Sequence, residues 1–216
     1  MAASSTTSSE TSPRARGRQP TFDRNEALEA ALDLFWRHGY EGVSIADLTK
    51  AIGIAAPSLY HAFGSKADLY REVLRRYSSS GISPDEIAQS ASSYDAARQM
   101  LERGIAAVTM PGRPLGCMVS SGMLMTSADN ADLAAELKVI RASSREALKR
   151  RIARDIEEGL LPNATDAAAL ARFFTAVLQG ISVQALDGAT AAELFPIAAS
   201  ALEAWPRMRV AIGTAE

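Results

Sequence analysis

From Phe22 onward, apolar residues recur at three- and four-residue spacing with few breaks, the period of helices packed on one face. Asp23 to Glu26 fits a capping box, and Leu28, Ala31, Leu32 and Phe35 form the first stripe, ending near His38-Gly39. Ser44 to Asp47 opens a second helix carrying Ile45, Leu48 and Ile52, which Gly53 interrupts. A third short helix runs from Pro57 to Phe63, with proline in the first turn, where its missing N–H costs nothing. Ser65 to Asp68 caps a fourth helix bearing Leu69, Val73, Leu74 and Tyr77.

The run Ser78 to Ile82 is a composition break and the predicted domain boundary. Ser83-Pro84-Asp85-Glu86 then starts a helix expected to reach about Thr109. The Pro/Gly-rich stretch from Pro111 to Gly116 predicts a loop, followed by helices over about 117–127, 131–158, 165–187 and 191–204. No alternating strand pattern occurs, so the expected fold class is all-α. Residues 1–20 read as a disordered tail with a basic arm, 21–80 as one domain and 81–216 as a second.

Composition narrows the classes. The 216 residues are 47% hydrophobic and 22% charged, enough for a sizeable core. No apolar run approaches the ~20 residues of a membrane span, and no secretory leader is evident, so a soluble cytoplasmic protein with no membrane partner is expected. The single cysteine, Cys117, and the two histidines, His38 and His61, argue against a metal centre; no metal, catalytic residue or cofactor is expected. The net charge of −2 hides a mild gradient, with ten Lys/Arg against eight Asp/Glu over residues 14–77. Charge alone would not point to nucleic acid.

Ser44 to Phe63 reads as helix, Gly53 turn, helix, the layout of a helix-turn-helix, although spacing alone favours an ordinary helical hairpin. The residues are more specific. Phe35-Trp-Arg-His-Gly-Tyr40 through Val43-Ser44-Ile45-Ala-Asp47-Leu, then Gly53 through Leu59-Tyr60-His-Ala-Phe63-Gly-Ser65-Lys66-Ala-Asp68-Leu69, closely resemble the DNA-binding domain of TetR-family bacterial transcriptional regulators. The resemblance covers residues 22–77. It implies a three-helix DNA-binding domain followed by a helical ligand-binding and dimerisation domain. It also implies that Leu59 and Phe63 pack inward while Ser44, Tyr60 and Lys66 meet DNA phosphates. A phenol, a hydroxyl and helix N-termini suit phosphate oxygens. Ala55, Ala56, Pro57, Ser58 and His61 complete the candidate DNA surface, small side chains there being able to touch thymine methyl groups. The recognition helix lacks Arg, Lys, Asn and Gln, so Arg14, Arg16 and Arg18 are either minor-groove readers or a solvated arm. Trp36 is placed either on the helix surface opposite Phe35 or near the domain boundary, and is given no function.

Five of seven methionines fall between residues 100 and 125. Such a cluster fits either a core or an adaptable ligand pocket. Met100, Cys117, Met118, Met123 and Phe173 are the candidate ligand-binding residues. Cys117, placed at a helix N-terminus, is either a small buried residue or a thiol that senses electrophiles. Helices 165–187 and 191–204 are apolar enough to need burial; pairing with a second copy would form a four-helix homodimer bundle, and burial within one subunit is the alternative. The expected function is a ligand-responsive regulator, most simply a repressor released from a palindromic double-stranded DNA operator by a small apolar or aromatic effector. The rivals are a thiol-sensing regulator, a small helical enzyme using Cys117, and a helical interaction protein that has lost DNA binding.

Overall fold

The computed structural model describes residues 22–78 and 82–206, and it is helical throughout, with no strand among the described residues. Arg14, Arg16 and Arg18 lie outside the described residues. The elements are α1 (Arg24–His38), α2 (Ile45–Ile52), α3 (Ala56–Phe63), α4 (Lys66–Ser78), α5 (Pro84–Gln89), α6 (Ser93–Val108), α7 (Met118–Ser121), a 3-10 turn (Ala128–Asn130), α8 (Ala131–Glu157), α9 (Ala167–Leu186) and α10 (Ala191–Glu203).

Short polar side chains start most of these helices. Ser44 with Asp47, Ser83 with Glu86, and Thr190 with Glu193 form reciprocal capping boxes. At α1 the expected box is one-sided, because the Asp23 carboxylate accepts from both Asn25 N and Glu26 N. Gly53 closes α2 at φ +77°, and nothing lies within 4 Å of where its Cβ would be. Gly53→Ala therefore bears only the left-handed conformational cost, about 1–2 kcal/mol. Urea unfolding should show that loss; an unchanged midpoint would contradict it.

Three sequence expectations are corrected. The helix expected from residue 83 to 109 is two helices, α5 and α6, broken at Ser90-Ala91-Ser92. A buried pair on α8 holds the break open. Arg151 Nε and Nη2 donate to the Ser90 and Ala91 carbonyls, at 2.9 and 2.8 Å. Asp155 accepts from Ser93 N at 2.7 Å and Ser93 Oγ at 2.5 Å, and pairs with Arg151 Nη1. The helix expected over 117–127 is only the single turn α7. Arg141 Nη1 takes the Val119 and Gly122 carbonyls, at 3.0 and 2.9 Å, and Met123 has φ +50°, so the helical ladder cannot continue. Thirdly, an apolar run of membrane-spanning length does exist. α9 has 20 residues and a mean hydropathy of 1.3, which by length and composition could cross a bilayer. It packs instead against α6, α8 and α10, burying Ala171, Phe174, Ile181 and Ala185.

Two apolar cores result. One joins α5, α6, α8, α9 and α10, with Phe174, Tyr94 and Trp205 in ring contact. The other fills the N-terminal helices around Phe35, Tyr40 and Tyr70, whose rings meet edge-on or stacked at 4.9–6.2 Å. This second core does not stop at the sequence boundary near residue 80. Met118, Met123, Leu133 and Leu137 are buried within it.

Candidate nucleic-acid interface

The left-handed Gly53 turn carries the chain from α2 into α3, whose inner side buries Leu59 and Phe63. Its outer side presents Tyr60, 49% exposed, and His61, with Ala55 and Pro57 exposed at its start and Ala56 and Ser58 half-buried. The eight predicted DNA residues thus lie on consecutive elements, from the start of α2 through α3 to the start of α4. Their chemistry differs in two places from a simple reading. Ser44 Oγ donates to Asp47 Oδ2 at 2.6 Å and accepts from Asp47 N at 3.1 Å, so its proton is already committed. What α2 has left to offer an anion is the backbone amides of Ile45 and Ala46. Lys66 does not extend freely. Its Nζ sits 4.2 Å from the centre of the Tyr40 ring, and partial burial lowers its pKa. The cation is therefore held in place beside the start of α4.

Sequence reasoning missed the joint between this body and the rest. Glu41, in the α1–α2 connection, accepts on Oε1 from Thr126 Oγ1 (2.7 Å), Ser127 N (3.1 Å), Ser127 Oγ (3.2 Å) and Asn130 Nδ2 (2.9 Å). These bonds, the Thr126 hydroxyl's foremost, lower its pKa to about 2. Because the folded value lies below the ordinary 4.5, the clasp acts fully above that pH and is lost as pH falls toward 2. The Ser127 amide resonance should accordingly titrate with a midpoint near 2, and a midpoint near 4.5 would refute the clasp. Trp36 Nε1 donates to Gly116 O at 3.1 Å, and its ring meets Tyr77 edge-on at 4.8 Å. Arg71 pairs with Glu136 of α8 at 2.8 Å.

The candidate ligand residues do not converge. Met100 and Cys117 line a partly open cavity of about 210 Å³ bordered by α4 to α9. Met118 and Met123 face the other way, into the N-terminal core and a second cavity beside Trp36 and Tyr40. Phe173, 43% exposed, lies on the outside of α9, away from the first cavity. Met110 and Met125 are exposed as well. Residues missed in the first cavity include Arg103, Arg141, Ser144 and Gln179. Arg141 and Ser144 were legible in principle, since they interrupt the α8 stripe Leu133, Leu137, Leu148 and Ile152 at helical spacing. Among the described residues, no three His, Cys, Asp or Glu gather as a metal site.

Comparison with known proteins agrees with this layout over both bodies. Residues 27–73 match the family model described as "Bacterial regulatory proteins, tetR family". The chain is 35% identical over 199 residues to the HTH-type transcriptional repressor ComR of Escherichia coli K12, covering 90% of this chain and 94% of that one. It is 30% identical over 194 residues to the repressor BdcR of the same organism, covering 88% and 93%. A cysteine-substituted form of the TetR-family regulator CifR, solved with 26-bp double-strand operator DNA, superposes with a TM-score of 0.81 at 37% identity, covering 88% of this chain and all of that one. Likeness of that extent, running through the second helical body as well as the helix-turn-helix, makes this chain a member of the TetR family of bacterial transcriptional regulators.

Proposed function

We propose that the chain is a cytoplasmic, homodimeric repressor that binds a palindromic double-stranded DNA operator and leaves it when a small, mainly apolar molecule enters the cavity between α4 and α9. The observation that carries this reading is the outward face of α3, set between the N-termini of α2 and α4. Tyr60, Lys66 and the first α2 amides after Ser44, whose own N–H and O–H are taken by Asp47, hold phosphates in this scheme, and Ala55, Ala56, Pro57, Ser58 and His61 meet the groove. CifR, which resembles this chain in both bodies, was solved on operator DNA.

Dimerisation through α9 and α10 is supported by what those helices leave uncovered. Phe173, Ala176, Gly180 and Val183 are all exposed at alternating three- and four-residue spacing on α9, and Ala192, Phe195 and Ala199 are exposed on α10. Small residues amid large apolar ones allow a second helix pair to approach closely. Two α3 helices about one turn of DNA apart, ~34 Å, would then read two half-sites. Footprinting at low and moderate salt tests the reading. A roughly palindromic site, lost as salt rises, supports it, while no protection at low salt overturns it.

A second reading rests on Cys117 lining the cavity, where an electrophilic effector would reach its sulfur. Unchanged effector response in Cys117→Ser would remove it. An enzyme built on this thiol has little support, because neither His38 nor His61 lines the cavity that Cys117 faces.

A further inference from the structure

The α4–α9 cavity is mostly apolar, with Met100, Val108, Ile140 and Leu178 on its walls, yet it holds two arginines and no Asp or Glu. The arginines are not equivalent. Arg103 pairs with Glu86 at 2.9 Å. Arg141 is half-buried and has no carboxylate within ion-pair distance among the described residues. Its Nη1 donates to the Val119 and Gly122 carbonyls, and its Nε and Nη2 donate to no described acceptor. Burial lowers its pKa, but a guanidinium stays cationic at neutral pH. Arg151 shows how the same helix treats a buried guanidinium that is fully satisfied: a carboxylate and two carbonyls occupy Nε, Nη1 and Nη2.

We infer that the cavity takes a carboxylate carried on a compact apolar body, with Arg141 as its counter-ion. The inference deepens the effector reading above and rests on it. The free edge of Arg141 has the fork geometry that grips a carboxylate through two parallel N–H donors. The Ser120 and Ser144 hydroxyls and the Gln179 amide, which make no side-chain hydrogen bond among the described residues, line the same cavity. They supply further donors for the remaining lone pairs. A single unpaired cation suits one negative charge rather than a phosphate dianion, and the apolar walls suit a hydrocarbon or aromatic tail. A wholly neutral ligand would seal Arg141 from water without a counter-charge, which is the costlier arrangement.

The test compares 4-phenylbutyrate with its uncharged isostere 4-phenylbutyramide on the full-length protein. Methyl-labelled methionine reports location, since Met100 lines this cavity and Met118 and Met123 do not. The acid should shift the Met100 methyl and bind at least tenfold more tightly than the amide. Arg141→Met should erase that preference, and Arg141→Lys, which keeps the charge, should retain part of it. If loss of the carbonyl contacts unfolds Arg141→Met, the wild-type comparison and the Lys variant still decide. Equal affinity of acid and amide at Met100 overturns the charge assignment while leaving the cavity a ligand site. No Met100 shift with either overturns the carboxylate site. Operator release is scored separately: tight acid binding without release would uphold the anion site and refute the effector reading.

Discussion

Asp155→Ala is expected to destabilise the fold by about 3–5 kcal/mol, because it strands a buried guanidinium without its counter-charge. Arg151 and Asp155 side chains are each 4% exposed, so water cannot replace the lost partner. The same carboxylate holds Ser93 N and Oγ, so the start of α6 loses its anchor at the same time. At roughly 2–4 °C per kcal/mol for a chain of this size, the melting temperature should fall by roughly 10 °C. Calorimetry would check it. A drop of only a degree or two would mean that the network is not closed as described. Replacing both charges, Arg151→Met with Asp155→Leu, should recover part of the loss, since no lone buried charge then remains.

The second large effect falls on DNA. Tyr60→Phe removes an exposed hydroxyl from α3 and leaves its ring in place. If that hydroxyl holds a phosphate, the loss is about 1.5–3 kcal/mol per subunit, roughly 10²–10⁴-fold for a dimer. The salt slope should barely change, because no charge is removed. Lys66→Ala should act differently, lowering the slope of log affinity against log salt by roughly 0.9 per subunit. Binding titrations at four or five salt concentrations separate the two. An unchanged slope in Lys66→Ala would show that the ammonium over Tyr40 serves the fold and not the DNA.

How far the sequence was legible depends on how local each cause is. The starts of α2, α5 and α10 are written within four residues, as Ser or Thr followed by Asp or Glu, and the turn at Gly53 within one. These were readable because cap and turn chemistry needs no distant partner. The α5–α6 break was not, since Ser90-Ala91-Ser92 contains neither glycine nor proline and is opened by α8 side chains some sixty residues away. The short α7 is similar: its carbonyls are claimed by Arg141, and the segment after it is drawn to Glu41. The methionines scattered for the same reason. In a segment without a helical period, spacing cannot assign Met118 and Cys117 to opposite sides. Phe173, expected to line the pocket, is left exposed while its neighbour Phe174 is buried, because the composition of an apolar helix such as α9 does not say which of two adjacent rings faces inward.

The burial of Met118, Met123, Leu133 and Leu137 among the N-terminal helices bears on how such a chain can be cut or recombined. A fragment ending near residue 80 would bare the apolar surface those four side chains cover, and would gain a sticky flank along with its loss of stability. A foreign sensor grafted after α4 would have to bring equivalent plugs, in register, or leave the reading head loose. The modular unit of this protein is therefore longer than its DNA-reading helices: it includes the first two turns of α8, and any working chimera should place its seam beyond them.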